Sequence, residues 1–486
     1  MNAPARRPSY RVTFAVVLVS VSTYSLLQSL VIPVLPIIQH GLHTSQATVT
    51  WVLTVYLLSA SVATPILGRV GDAIGKKPMF VLSLAALGVG SLLAALASSI
   101  GVMIVARAVQ GVGGAVLPLA FGIIREEFPR ERVTVAISIT AALLAVGGGA
   151  GIVLAGPVVD ALDYHWLFWM PAIAIGLATI AAFLVLPDSE QRNPGPISVL
   201  AAGLLSGWLV TLILAVSEGQ AWGWSSPAIL LLAVGTVVLA IAWARVERRA
   251  ATPLIDLTMM RLPAVWSTNL VALLFGAGLY AAIGFLPEFL QTPTSSGYGF
   301  GASVTASGLF LLPMTVTMFF AGIASGRLSV RIGAKPVLLA GSAVSIVPFA
   351  LLTFAPTHRV LVYTATAVLG IGFGLAFSAM SSIVVESVPA GQVGVASGMN
   401  TNIRTIGGSI GAAAMASIVT SGVAPGTVPR LSGYTHGFAF LMSAAVVAAA
   451  AALLVPSRRA LAAAAGAPEA GGEAPLVAGN DLAVAE

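Results

Sequence analysis

The chain has 486 residues, of which 58% are hydrophobic and only 8% are charged, and it contains no cysteine. So few charges cannot cover the surface of a soluble protein, and the hydrophobicity excludes a disordered chain. The lack of cysteine excludes disulfide scaffolds and thiolate metal sites. The class that remains is an integral membrane protein. The net charge of +6 could indicate nucleic acid or anionic lipid as a partner, and the positions of the basic residues along the chain decide this question.

Long apolar runs follow one another along almost the whole chain. A membrane-spanning helix needs ~20 mostly apolar residues, and these runs lack the alternation that is typical of barrel strands. The sequence therefore predicts an all-α integral membrane protein with fourteen transmembrane helices. The predicted spans are residues 12–34, 48–70, 79–98, 101–124, 134–158, 166–186, 198–216, 227–244, 265–290, 303–325, 336–354, 360–384, 393–420 and 436–455.

The basic residues divide unevenly between the two sides of this fourteen-helix map. Of the 23 Lys and Arg residues, 19 fall on one side and only Arg359 and Arg430 on the other. Arg107 and Arg404 lie inside predicted helices. Since basic loops stay in the cytoplasm, both termini are predicted to be cytoplasmic. The basic excess is thus a topology signal, and it argues against nucleic-acid binding.

A repeated segment divides the chain into two similar blocks. Residues Gly68–Lys77 recur as Gly326–Lys335, and the glycines near residue 147 recur with nearly the same offset. The two six-helix bundles form a parallel pseudo-repeat, an arrangement that places the substrate site between the halves. The predicted regions are a cytoplasmic N-terminus (1–11), the first bundle (12–186), a linker with two extra helices (187–264), the second bundle (265–456) and a disordered cytoplasmic tail (457–486).

Six motifs resemble those of the major facilitator superfamily, and in particular its fourteen-helix drug:proton antiporter branch. They are Gly68–Lys77, Arg107–Gly114, the helix-5 glycines ending in Gly156-Pro157, Trp222–Trp224, Pro253–Asp256 and Gly391–Gly398. Arg404 belongs to the same resemblance, which covers roughly residues 12–456. It implies a transporter that works by alternating access and uses the proton gradient, with no cofactor.

The loop between helices 2 and 3 is a candidate gate. Glycines there permit a tight cytoplasmic turn, and the resemblance implies a latch in which Asp72 pairs with a cation across the gate. Val330 stands at the equivalent position of the second copy, so the latch is expected on one side only. A solvated, positive-inside turn is the alternative. The gate residues are Gly68, Arg69, Asp72, Gly75, Lys76 and Lys77.

Charges inside the predicted helices are candidates for proton coupling. A charge in the bilayer centre is costly, so Arg107 needs a partner or a watery cavity. Either it serves proton coupling or it is a structural arginine bonded to backbone carbonyls. Glu288 and Asp160 are acids near outer helix ends, where a carboxylate is either a proton carrier or an ordinary ionised side chain.

Polar residues on several helices are candidates for the substrate cavity, with helix–helix hydrogen bonding as the alternative. They are Tyr24, Gln28, Gln110, Asn400, Asn402 and Arg404. Helix 5 carries an antiporter-like motif in which small residues allow close packing. That motif consists of Gly147, Gly148, Gly151, Gly156 and Pro157. It departs from the family pattern after Pro157, where Val158 replaces a glycine.

The sequence favours a proton-coupled exporter of hydrophobic small molecules, such as drugs or antibiotics. Many relatives have an acid in helix 1 where Leu27 stands, which favours a neutral or anionic amphiphile over a quaternary ammonium. Alternatives are an exporter of a lipid or metabolite, a symporter, a channel or a membrane sensor. No nucleophile–base set indicates an enzyme. Because Arg outnumbers Lys 20 to 3, a bacterial plasma membrane is predicted, and we expect a monomer in the bilayer.

Overall fold

The computed structural model describes residues 9–31, 34–189, 198–250, 253–421 and 428–457. All regular structure in these ranges is helical. The first half contains α1 (Tyr10–Leu30), α2 (Leu35–Gly41), α3 (Gln46–Ile74), α4 (Lys76–Ala95), α5 (Ile100–Gly111), α6 (Val116–Glu127), α7 (Arg130–Ala161) and α8 (Trp166–Val185). The linker contains α9 (Val199–Trp222), α10 (Pro227–Arg249) and α11 (Leu257–Met260). The second half contains α12 (Pro263–Gln291), α13 (Val304–Ile332), α14 (Ala334–Val344), α15 (Ile346–Phe354), α16 (Arg359–Ser387), α17 (Val393–Val419) and α18 (Leu431–Leu453).

Serine side chains begin six of these helices. Each Ser oxygen accepts a hydrogen bond from a backbone N–H of the first turn, which satisfies one of the donors that a helix start leaves free. The capping residues are Ser9, Ser45, Ser99, Ser198, Ser226 and Ser303. The sequence thus marks helix starts locally, before any packing is formed.

Thirteen helical stretches of the described chain are long and apolar enough to cross a membrane. Two of them join consecutive helices: α5 continues through a 3-10 turn (Val112–Ala115) into α6, and α14 is followed directly by α15. The remaining predicted span, 393–420, coincides with α17, which is helical over 27 residues but less apolar. Asn400, Asn402 and Arg404 lower its mean hydropathy. The helix can carry these polar residues because it packs inside the bundle against α12 and α3.

Two hydrophobic cores correspond to the two six-helix blocks. The first core also takes buried side chains from α9, such as Leu205 and Leu209, and reaches across to Val385 and Val395 of the second half. The second core lies within the second half. The halves face each other mainly along α7 against α13 and α3 against α17. Residues 1–8 of the predicted N-terminal segment and 458–486 of the predicted tail lie outside the described residues.

The structure corrects the predicted turn after helix 2. The α3 helix does not end near residue 70 but continues to Ile74, and α4 begins at Lys76. Gly75 alone forms the link, with a φ of 122° that favours glycine. Gly68 and Gly71 lie within the helix and allow neighbours to approach closely. Two short helices, α2 and α11, were also not predicted.

Candidate functional site

A cavity of about 190 Å³ lies between the two halves. It is bounded by α1, α3, α6 and α7 from the first half and by α12, α13, α16 and α17 from the second. Four of the six predicted cavity residues line it: Tyr24, Gln28, Asn402 and Arg404. The cavity therefore occupies the place that the parallel repeat predicts for a substrate site.

Gln110 and Asn400 do not line this cavity, which corrects their prediction. The amide of Gln110 donates to Ser91 Oγ (3.0 Å), and the amide of Asn400 donates to Asn269 Oδ1 (2.8 Å). Both side chains are buried. They form the helix–helix hydrogen bonds that the sequence left open as the alternative.

Arg107 is 1% exposed and donates two hydrogen bonds, one to a neighbouring helix and one to a side chain. Its Nε donates to the carbonyl of Val52 (3.0 Å) and its Nη1 donates to Gln110 Oε1 (2.7 Å). The guanidinium also lies 4.3 Å from the centre of the Tyr56 ring, and Tyr56 lines the cavity. Arg107 thus sits behind Tyr56, and its contacts favour a structural arginine over a group facing the substrate.

Arg404 has a different environment, in the cavity wall itself. Its guanidinium stacks on Phe377, 5.0 Å from the ring centre. With the described residues it forms no hydrogen bond or ion pair. Tyr24 and Tyr280 lie near enough to interact electrostatically with it. The sequence did not single out Tyr56, Tyr280 or Phe377, because an aromatic residue in an apolar helix gives no signal of its own.

The predicted proton-coupling acid Glu288 does not line the cavity, and no carboxylate stands among the described residues that line it. Glu288 lies at the outer end of α12, where its exposed carboxylate accepts a hydrogen bond from the Tyr434 hydroxyl (2.9 Å). Asp160 falls in the last turn of α7, and its side chain lies outside the described part of the structure.

A buried ionic cluster lies at the end of the first half that the basic loops predict to be cytoplasmic. Lys76 Nζ is 3.2 Å from Asp72 Oδ1 and 2.5 Å from Glu126 Oε1. Asp72 and Lys76 are fully buried. A Cβ added at Gly122 would come within 2.5 Å of the Lys76 stem, so this glycine makes room for the lysine. Glu126 was not predicted, although Glu386 repeats it at the offset of 260.

Asp72 also reaches across to the second half, at the N-terminus of α17. Its Oδ2 accepts a hydrogen bond from the backbone N–H of Val395 (3.3 Å). This corrects the predicted latch partner: the cation that pairs with Asp72 is Lys76 of the same half, while the partner across the gate is a helix N-terminus. A carboxylate suits that position because the N-terminal end of a helix carries partial positive charge.

Arg125 makes the complementary contact at the C-terminus of α16. Its guanidinium donates to the carbonyls of Val385 and Val388, the second at 3.0 Å. A cation suits the negative end of a helix. Gly68 and Gly394 bring the two halves into close approach here, since a Cβ on Gly68 would lie 2.8 Å from the Gly394 oxygen. The halves are therefore in contact at the cytoplasmic end of the cavity.

The other predicted gate residues lie around this cluster. Arg69 is buried and interacts electrostatically with Glu247 of α10. Lys77 forms a more exposed ion pair with Asp188 (3.4 Å). The predicted gate residues thus form one contiguous region, but only some of them contact the second half.

The linker also touches the gate. Glu247 accepts hydrogen bonds from two backbone N–H groups of Pro253–Asp256, at 2.9 and 3.3 Å. Partial burial raises the pKa of Asp256, but hydrogen bonds, chiefly from Thr258 and also from Gln392, hold the pKa below its ordinary value. Gln392 directly precedes α17. The segment between α10 and α11 therefore connects the linker with the start of the gate helix.

The glycines of α7 allow it to pack closely on two neighbours. A Cβ on Gly147 would lie 2.6 Å from Ser25 of α1, and one on Gly156 would lie 2.7 Å from Thr305 of α13. Gly151 also packs against α1, while Gly148 lines the cavity and Pro157 lies within the helix. These contacts agree with the close packing that the small residues predict.

A second cavity, of about 580 Å³, lies at the same end of the molecule as the ionic cluster and is lined by both halves. From the second half, Val330, Ala334 and Glu386 line it, and these are the repeat counterparts of Asp72, Lys76 and Glu126. From the first half, Thr134 lines it and donates a hydrogen bond from its Oγ1 to Glu386 (2.5 Å). The buried lysine–carboxylate cluster is thus present in the first half, and the equivalent residues of the second half face a cavity between the halves.

Comparison with known proteins gives a consistent result. The sequence profile of the Major Facilitator Superfamily matches residues 17–199 and 190–412. The chain is 27% identical to the multidrug transporter protein MdtP of Bacillus subtilis, over 74% of this chain and 66% of that protein. It is 29% identical to the tetracenomycin C resistance and export protein of Streptomyces glaucescens, over 82% and 74%.

Solved structures share the fold at low sequence identity. The human organic anion transporter MFSD10 superposes with a TM-score of 0.69 at 16% identity, covering 92% of this chain and all of that one. The proton:xylose symporter XylE superposes with a TM-score of 0.66 at 12% identity, covering 93% and 98%.

Proposed function

Because the chain belongs to the major facilitator superfamily, and is therefore a multi-pass membrane transporter and not an enzyme, we propose that it exports hydrophobic small molecules by proton-coupled antiport. The observation that carries this proposal is the central cavity, which lies between two six-helix halves that meet at its cytoplasmic end. Relatives named as multidrug and tetracenomycin C exporters support the substrate class.

The gate contacts support alternating access as the mechanism. Asp72 and Arg125 hold the ends of α17 and α16, and both contacts have to break before the cytoplasmic side opens. The two halves then rock about the cavity, which is the behaviour of parallel-repeat transporters. In this proposal the Asp72 contact is the latch of the cytoplasm-closed state.

Proton coupling needs a group that titrates between two accessible states of the transporter. Glu288 is our candidate, because its carboxylate is exposed at the outer end of α12 and bonded to Tyr434. Protonation would remove the negative charge of this carboxylate and add an O–H donor, and so would change its hydrogen bond to the tyrosine. We expect Glu288→Gln to abolish proton-driven transport while it spares substrate binding. Asp163→Asn is the matched control, since that outer acid bonds only locally to His165.

The test of the whole proposal is flux in proteoliposomes with an imposed pH gradient. We expect gradient-driven transport of at least one of three dyes: neutral N-phenyl-1-naphthylamine, anionic 1-anilinonaphthalene-8-sulfonate or cationic ethidium. Dye flux that does not depend on the gradient would refute proton coupling. If none of the dyes is transported, export of hydrophobic molecules is refuted. If transport by Glu288→Gln still depends on the proton gradient, only the assignment of Glu288 as the proton-coupling group is refuted.

A further inference from the structure

The guanidinium of Arg404 stands in the cavity wall without a bonded partner. Arginine has five N–H donors, yet with the described residues this group makes only a ring contact, on Phe377. Arg107, in contrast, donates to Val52 and Gln110 and lies outside the cavity. The two intramembrane arginines are therefore not equivalent. Arg107 donates hydrogen bonds to the protein, whereas the N–H donors of Arg404 are free to bind a molecule that enters the cavity.

Among the described residues, no negatively charged side chain lines the cavity beside Arg404. The groups near it are Tyr24 on α1, Tyr280 on α12, Phe377 on α16 and Asn402 on its own helix. None of these carries a charge at neutral pH. A charge held away from water needs an opposite charge or hydrogen bonds. An entering anion would supply both.

Aromatic and methionine side chains form part of the remaining cavity surface. Tyr24, Tyr56 and Tyr280 present rings and hydroxyl groups to the cavity. Met314 and Met318 of α13 also line it. Aromatic faces bind flat rings, and methionine adapts to their edges. This surface suits a ring system that carries one acidic group.

Resting on the proposed export function, we propose that the substrates are aromatic organic anions and that Arg404 is their counter-charge. The anionic group, a carboxylate, sulfonate or phenolate, accepts charge-assisted hydrogen bonds from the free N–H donors of Arg404. The ring system lies against the three tyrosines. Of two molecules with the same ring system, the transporter should therefore prefer the anionic one over the neutral one.

The charge of the cargo has a measurable consequence. In a one-for-one exchange with an inward proton, export of a monoanion moves two positive charges inward, whereas a neutral molecule moves one and a monocation none. The membrane potential, negative inside, therefore assists export most strongly for an anion. Currents from protein adsorbed on a supported membrane should be largest per molecule for the anion.

The test compares two probes that share one ring scaffold. The sulfonate of 1-anilinonaphthalene-8-sulfonate is ionised at all working pH values, and N-phenyl-1-naphthylamine lacks it. With wild-type protein in lipid nanodiscs, and empty nanodiscs subtracted, we expect at least tenfold tighter binding of the anion. In Arg404→Gln we expect the anion affinity to fall at least tenfold while the neutral affinity changes less than twofold.

Further variants keep the result decisive. Arg404→Lys retains a cation and should keep part of the preference, and Arg359→Gln, on an exposed outer arginine, should leave it unchanged. Equal wild-type affinities for the two probes would overturn the proposal without any variant, as would an unchanged anion affinity in Arg404→Gln. Gradient-driven flux of the neutral probe together with equal affinities would refute the anion site and leave the export function standing.

Discussion

The cytoplasmic ends of the two halves share a backbone plan but differ in charge. In the first half, Lys76 is buried between Asp72 and Glu126. In the second half, the equivalent positions hold Val330, Ala334 and Glu386 around a cavity. The glycines that permit close approach are present in both copies, at Gly68 and Gly326. The duplicated halves therefore share the close backbone approach, while the buried lysine with its two carboxylates is present in the first half alone among the described residues.

Removing the lysine should give the largest effect. Lys76→Met leaves two buried carboxylates without their cation, and breaking a buried pair in this way costs about 3–5 kcal/mol. The matched change in the second half, Ala334→Met, faces a cavity and should cost much less. Unfolding of both purified variants in detergent measures the difference. Equal midpoints would mean that the cluster does not distinguish the halves.

The next effect is expected for Asp72→Asn. The change removes the charge that faces both Lys76 and the N-terminus of α17, so the cytoplasm-closed state is weakened and transport is lost while the protein still reaches the membrane. Since the chain has no cysteine, a thiol introduced at the buried Ser397 reports opening without background. We expect several-fold faster thiol labelling from the cytoplasmic side. Val330→Asn is the control, and wild-type transport by Asp72→Asn would refute the latch.

The shared glycines should respond alike. A methyl group at Gly68 would lie 2.8 Å from the Gly394 oxygen, and one at Gly326 would lie 2.6 Å from Ser138 Cβ. Overpacking of this kind costs about 1–3 kcal/mol, so each alanine variant should slow transport roughly tenfold. Rates within about threefold of each other would confirm that the steric part of the gate is symmetric. A defect in only one variant would contradict it.

The smallest effect is expected at the edge of the cluster. Lys77 and Asp188 form a 3.4 Å pair in which the carboxylate is 80% exposed. Exposed pairs contribute about 0–1 kcal/mol, so Lys77→Ala should transport at nearly the wild-type rate. A loss as large as that of Asp72→Asn would show that the functional cluster extends to the surface.

Hydropathy predicted the helices because the bilayer imposes a length and an apolar surface on each span. It misplaced the end of α3, since Gly68, Arg69 and Asp72 are typical of a turn when read locally. Within the continued helix Asp72 pairs with Lys76 and accepts a hydrogen bond from the distant Val395 N–H, and no local pattern contains that second contact. The same limit applies to α17, where Asn402 faces the cavity and Asn400 faces Asn269. The face of α17 that points toward the cavity depends on which helices pack against it, and the sequence alone does not give that arrangement.

The polar character of α17 has a consequence for how the protein enters the bilayer. An arginine at the centre of a helix adds about 2.5–3.5 kcal/mol to its insertion, and two asparagines add more. The amides of Asn400 and Asn402 find acceptors on Asn269 of α12 and Ser61 of α3. Those helices lie earlier in the chain and are synthesised first. The ribosome thus delivers α17 only after the groups that receive it are in place, so its insertion is a docking step in biogenesis rather than an independent partition into lipid.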